Sequence, residues 1–172
     1  MSLFVASLVI VGQVIPPVRA PKKPNLPGLP HRVIGVFGPS ALDVSFFGDT
    51  GGVFRARRGR YGASNQPQRR VLLYGISTPR MGQDGYAQGL MRLENWVQGA
   101  AVADLEAEPL DRFKTHRGAD VRYVWVWGKL LNFELVRAGW ARVNEEGRAG
   151  KYGELLTAAE NEARRLRVGL WR

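Results

Sequence analysis

The chain has 172 residues, 45% hydrophobic and 23% charged, which suits one domain with a real core plus extensions and excludes two ordinary domains or wholesale disorder. Its 25 Lys and Arg outweigh 15 Asp and Glu, and the net charge of +10 favours anionic partners without choosing among nucleic acid, lipid and acidic protein. With no cysteine there is no disulfide, thiolate metal site or cysteine nucleophile, and only His31 and His116 offer imidazole, so zinc chemistry is not expected.

The stretch Leu3 to Val18, "LFVASLVIVGQVIPPV", carries no charge and has only Ser7 and Gln13 as clearly polar side chains. At about 16 residues it falls short of the roughly 20 that a helix needs to span a bilayer. It reads as an anchor to a membrane or membrane complex, as an arm docked on protein, or as a signal segment without the usual basic start. Arg19, Lys22 and Lys23 follow it, so the positive-inside rule would put the body on the cytosolic or matrix side. Residues 19–30 form a basic linker; from Pro16 to Pro30 there are six prolines, which exclude a helix interior and suggest an extended tether.

The body occupies residues 31–172. "RVIGVF" (Arg32 to Phe37), "GPS" and "ALDVSFFG" (Ala41 to Gly48) predict a hairpin, since β-branched and aromatic residues are bracketed by Gly and Pro. After a brief strand at Val53 to Ala56, a loop is expected with Arg55, Arg57, Arg58, Arg60, Arg69 and Arg70, and with Tyr61 among them. This cluster could hold phosphates and stack a base, or face solvent or another protein; no second aromatic accompanies Tyr61. Val71 to Ile76 predicts a core strand. Leu90, Leu93, Trp96 and Val97 at helical spacing predict an amphipathic helix over Tyr86 to Gln98.

"ADVRYVWVWGKLLN" predicts a strand pair with both faces apolar, Val121, Tyr123, Trp125 and Trp127 on one side and Val124 and Val126 on the other. The two tryptophans read as core or interface anchors. "FELVRAGWARV" predicts a short helix ending at Gly139. "YGELLTAAENEARRLRVGLW" predicts a longer one, with Leu155, Ala159, Ala163 and Leu166 on its stripe and Gly169 ending it. The expected class is α+β: a five-stranded OB-type barrel with about three helices and an N-terminal apolar anchor. The sequence shows no internal repeat.

From about Arg32 to Trp171 the chain resembles the staphylococcal nuclease-like domain. "VLLYGISTP" is similar to the family's V-R-L-x-G-I-D-A-P-E, "GKLLNFELVRAGWARV" to G-x-x-L-N-x-x-L-V-x-x-G-x-A-x-V, and the closing "AENEARRLRVGLW" to the family's A-E-x-x-A start and G-L-W end. The resemblance implies a five-stranded OB barrel and calcium-dependent phosphodiester cleavage, with two arginines on the phosphate, a glutamate activating water and two aspartates on the metal.

Carried over by position, those roles fall on unsuitable residues. Leu72 takes the first arginine's place, Ser77 that of a metal aspartate, and Arg80 that of the glutamate base. Leucine has no donor, serine is a poor ligand for a hard ion, and arginine cannot accept a proton. Ala119 takes the second arginine's place, with Arg117 and Arg122 near enough for a shifted alignment to supply one. For the other metal aspartate, "FFGDTGG" offers Asp49, a weak metal candidate, whereas a second register places "GPS" at that turn and Asp49 beyond the next strand. The second register suits the barrel better.

The sequence therefore predicts no catalytic residues, no cofactor and no metal. It suggests a nuclease-like domain without nuclease activity, acting as an accessory subunit of a membrane-associated complex. The mitochondrial inner membrane with the barrel on the matrix side is one fitting place; partners would be other subunits, lipid through residues 3–18, and nucleic acid through the basic loop. The alternatives are a non-catalytic RNA or DNA binder and a residual calcium-dependent phosphodiesterase using Asp49, Arg117 or Arg122.

Overall fold

The structure is a computed structural model that describes residues 9–10, 13–14, 17–26, 30–46, 69–98, 102–110 and 115–172. The expected strand at Val53 to Ala56, Asp49, and Arg55, Arg57, Arg58, Arg60 and Tyr61 lie outside the described residues, as does most of the apolar segment. Within that segment, β1 (Val9–Ile10) and β2 (Gln13–Val14) pair antiparallel.

The hairpin expected after residue 31 forms from β3 (His31–Gly38) and β4 (Ala41–Phe46), with Pro39 and Ser40 at its turn. This is the register that puts "GPS" at the turn. Next, β5 (Arg69–Leu73) pairs antiparallel with β4, but the predicted run to Ile76 is broken. Tyr74 and Gly75, the latter at φ +75°, turn the chain before β6 (Ile76–Ser77). Helix α1 (Tyr86–Val97) buries Leu93 and Val97 as its periodicity predicts.

Further along come β7 (Asp104–Glu106), β8 (Thr115–His116), β9 (Ala119–Val126) and β10 (Lys129–Leu130). β9 is the hub: it runs parallel to β5 and antiparallel to β7, β8 and β10. Val121, Tyr123, Val124, Trp125 and Val126 are all buried, so both its faces are covered, in line with its unbroken apolar run. Trp127 departs from expectation. It sits at φ +53° in the β9–β10 turn and is 70% exposed, because the chain reverses one residue before the alternation would carry it inward.

The ladders run β10-β9-β5-β4-β3, with β7 and β8 also on β9. Among the described residues the sheet does not close as the continuous five-stranded barrel expected. With only three residues in β7, its ends meet at a single bridge, where His31 and Ala103 exchange N–H···O bonds of 2.7 and 2.6 Å.

The C-terminal part contains α2 (Leu131–Arg137), β11 (Arg142–Val143), α3 (Glu145–Ala149), α4 (Gly153–Arg165) and a 3-10 turn (Gly169–Trp171). Four α-helices thus appear among the described residues where about three were expected. One-turn α3 has no apolar period to read; it is set by Asn144, whose side chain accepts from the Gly147 N–H at 2.8 Å. α4 ends at Arg165 rather than at Gly169, with Arg167 at φ +52°. Its buried side is Leu156, Ala159, Glu160 and Ala163, and Leu166 is exposed.

Two buried polar side chains hold these parts together. Asn132 accepts from the Val124 N–H at 3.0 Å and donates to the Tyr74 carbonyl at 2.8 Å, joining α2, β9 and the β5–β6 turn. Glu160 accepts from the Val143 N–H at 3.0 Å and is flanked by Arg164 and Arg148, tying α4 to β11.

The supposed tether is docked on the body. The Val18 amide donates to Glu162 at 3.4 Å, Lys23 pairs with Asp104, and Val18 and Leu26 pack on the core. Residues 17–26 therefore form a strap from α4 to β7.

Asn132→Ala should destabilise the fold by about 2–4 kcal/mol, since it leaves two buried backbone groups unpaired. Asn144→Ala, which removes only a helix cap, should cost about 1 kcal/mol. Urea denaturation of the two variants checks the order; equal small losses would contradict the role given to Asn132.

Candidate functional site

Of the positions carried over from the family pattern, Ser77 lies where β6 meets β11 and Arg80 just beyond it. Ser77 is the cross-strand partner of Arg142. Thr78 follows, and its hydroxyl hydrogen-bonds the Ser40 hydroxyl at 3.0 Å, so the β3–β4 turn reaches the β6 end. Beyond Pro79, the Arg80 N–H donates to the Gln83 side-chain oxygen at 2.7 Å, and the Gln83 N–H returns to the Arg80 carbonyl at 2.9 Å. That closed turn holds the segment between β6 and α1. An open cleft of about 610 Å³ results, with Ser77, Thr78, Gln83, Asp84, Arg142 and Leu170 among its lining residues.

Close backbone contacts fix this cleft. Asn144 N–H donates to the Gly75 carbonyl at 3.1 Å, and a Cβ on Gly147 would lie 1.9 Å from that same oxygen. Only glycine fits there. On the other side, Leu170 N–H donates to the Gly139 carbonyl at 2.8 Å, and a Cβ on Gly139 would stand 2.3 Å from the Val168 oxygen. The C-terminal turn that carries Leu170 and Trp171 is thereby clamped beside β11.

The other carried-over positions lie on the sheet. Leu72 is half-buried, paired with Ala41 on β4 and Val121 on β9. Ala119 is buried at the start of β9, opposite His116. Between them, Arg117 at φ +51° and Gly118 at φ +80° make the β8–β9 turn, which leaves Arg117 exposed. Arg122 donates to the Val121 carbonyl at 2.7 Å and lies 3.7 Å from Asp120.

Of the arginine cluster, only Arg69 and Arg70 are described. Arg69 pairs with Asp120 at 3.2 Å; Arg70 pairs with Asp43 at 3.0 Å and stacks over the exposed Phe37 ring at 3.3 Å. Each has an acidic partner, although such exposed pairs contribute little to stability.

The donor set does not fit the calcium that the family implies. Asp84 is the only carboxylate among the described lining residues, the other side-chain oxygens of that set are neutral, and Arg142 adds a cation. Among the described residues no three His, Cys, Asp or Glu side chains could hold a metal ion. A hard dication takes six to eight oxygens with carboxylates among them.

A second polar cluster, which the sequence does not signal, ties β7 to β9 and to the start of α4. Glu106 and Glu108 on and beside β7 are both buried. Glu106 accepts from Trp125 Nε1 at 2.8 Å and the Tyr152 hydroxyl at 2.9 Å, and it pairs with Lys151. Glu108 accepts from the Tyr123 hydroxyl at 2.8 Å and the Lys151 N–H at 2.9 Å. Burial, then the Glu106 bond, pushes the Tyr152 phenol up to about 12; the Glu106 bond raises Lys151. Burial and Glu108 likewise raise Tyr123.

A mixed sheet with a parallel β5–β9 pair, a β3–β4 hairpin and helices around it defines an OB-type α+β domain. A family model described as "Staphylococcal nuclease homologue" matches residues 70–172, more than half of the chain, and the chain belongs to that family. It is also 25% identical over 109 residues to the thermonuclease of Staphylococcus intermedius, across 59% of this chain. The match spans 62% of that relative's length.

Tyr152 and Lys151 both keep their protons to higher pH in the folded state than in the unfolded one, so the contribution present below their ordinary values is lost as pH rises through the raised ones, about 12 for Tyr152. Stability should accordingly fall across that interval, and Glu106→Gln should flatten the fall. Denaturation midpoints measured along an alkaline pH series check this; an unchanged slope in the variant would remove Glu106 from the account.

Proposed function

We propose that this domain keeps the nuclease scaffold without the family's hydrolysis and serves as an accessory subunit of a membrane-associated assembly, for which the matrix side of the mitochondrial inner membrane is a fitting place. One observation carries the first half: Arg80 occupies the base position, while Ser77, at the metal position, faces Arg142 across the β6–β11 pair. In-line hydrolysis needs a polarising cation, an ordered water and a group to take its proton. A guanidinium cannot accept that proton. A base or an electrostatic stabiliser each contributes about 10² to 10⁴ in rate, so losing several together leaves little of the family route.

The second half is supported by the uncharged run from Leu3 to Val18 and by the strap. Because Val18 is held at Glu162 and Lys23 at Asp104, the apolar segment leaves from a fixed place on the body. Among the described residues no helix is long and apolar enough to cross a membrane. What we propose is attachment to an assembly and its lipid.

Incubated with calcium and single-stranded DNA or RNA, the purified chain should show no cleavage above background. Calcium-stimulated cleavage that vanishes in Asp84→Asn would overturn the first half. Purified in mild detergent from its own cells, the chain should bring membrane subunits with it; an unaccompanied monomer would overturn the second.

A further inference from the structure

The same cleft has more to it than missing chemistry, because replacing a carboxylate reverses the local charge balance. Arg142 stands directly across from Ser77, and among the described residues it has no carboxylate partner. Its guanidinium lies 4.8 Å from the centroid of the Trp171 ring, whose other cationic neighbour, Arg164 at 4.2 Å, is already paired with Glu160. Trp171 is held in turn by the clamp between Gly139 and Leu170. Arg142 is therefore a positioned cation on the wall of a cleft that Ser77 and Thr78 also line, and Asp84 is the one opposing charge among the described lining residues.

We infer that this cleft binds a phosphate group directly, without a divalent cation, through Arg142 and the Ser77 and Thr78 hydroxyls. A planar guanidinium offers several N–H donors to phosphate oxygens, the Ser77 hydroxyl can add a further bond, and so can that of Thr78 with Ser40 as the donor in their mutual bond. Stacking on Trp171 reduces the freedom that Arg142 must lose on binding. The inference rests on the proposed loss of the metal-dependent reaction, since an intact calcium centre would require a carboxylate where Ser77 stands.

The test is a calorimetric titration of the full chain in EDTA with inorganic phosphate, then with a nucleoside 5′-monophosphate and with the matching nucleoside. Saturable binding of inorganic phosphate is expected. Equal affinity for the monophosphate identifies free phosphate as the ligand, and tighter binding of the monophosphate identifies a phosphate monoester; the nucleoside alone should not bind. Arg142→Gln should weaken binding about tenfold or more, and Asp84→Asn should strengthen it. Ser77→Asp supplies the missing counter-charge without touching the Trp171 stack, and should abolish binding even if Arg142→Gln misfolds.

No saturable binding, or binding indifferent to Ser77→Asp and Arg142→Gln, overturns the inference. Failure here with no calcium-dependent cleavage sinks only the phosphate site, whereas cleavage in calcium sinks the reading beneath it.

Discussion

The arrangement depends on the approach of two backbones, the turn at Gly75 and helix α3 at Gly147, so close that neither position tolerates a Cβ. That contact fixes the end of β6 against β11 and so decides what faces Ser77. Asn144 reinforces it twice, by capping α3 with its side chain and by donating its own N–H to Gly75. Asn132 holds the preceding residue, Tyr74, to α2. Four residues with no part in chemistry thus set the geometry of the cleft.

The residues retained from the family pattern and those lost from it divide along physical lines. Those retained satisfy buried backbone groups or allow close crossings: Asn132, Glu160, Gly139 and Gly169 have structural roles visible in their contacts. In the correspondence we propose, Leu72, Ser77, Arg80 and Ala119 take the places where only the reaction demands a particular side chain. Leu72 and Ala119 now fill space on the sheet, and Ser77 joins a run of hydroxyls with Thr78 and Ser40. A scaffold can be maintained by burial and hydrogen bonding after selection on the site has changed. The proposal of a non-hydrolytic accessory subunit rests on that division.

Periodicity made the core readable in advance. The hairpin at residue 31, helix α1 and the two-faced apolar strand β9 follow directly from spacing and residue type, and the three quoted motifs led to the family. What escaped was set by tertiary contact or by single turns. Helix α3 is too short to show a period, and Trp127 continues an alternation that the chain abandons for a turn. Glu106 and Glu108 lie two apart on and beside β7 and carry no local signal of burial; only the aromatic residues and the lysine from distant segments make them a buried brace. Arg142 stands at a variable position of its motif, so its pairing with Ser77 could not be read from either stretch alone. The proline-rich stretch reads as a spacer until its contacts with Asp104 and Glu162 are seen.

The central claim is that the β6–β11 cleft has exchanged a cation-binding charge pattern for an anion-binding one. Calcium titration of the purified chain by calorimetry addresses it most directly. The account predicts no saturable calcium site near Ser77, and hence no heat that changes on substituting Ser77→Ala or Asp84→Asn. A saturable calcium site abolished by both substitutions would contradict it.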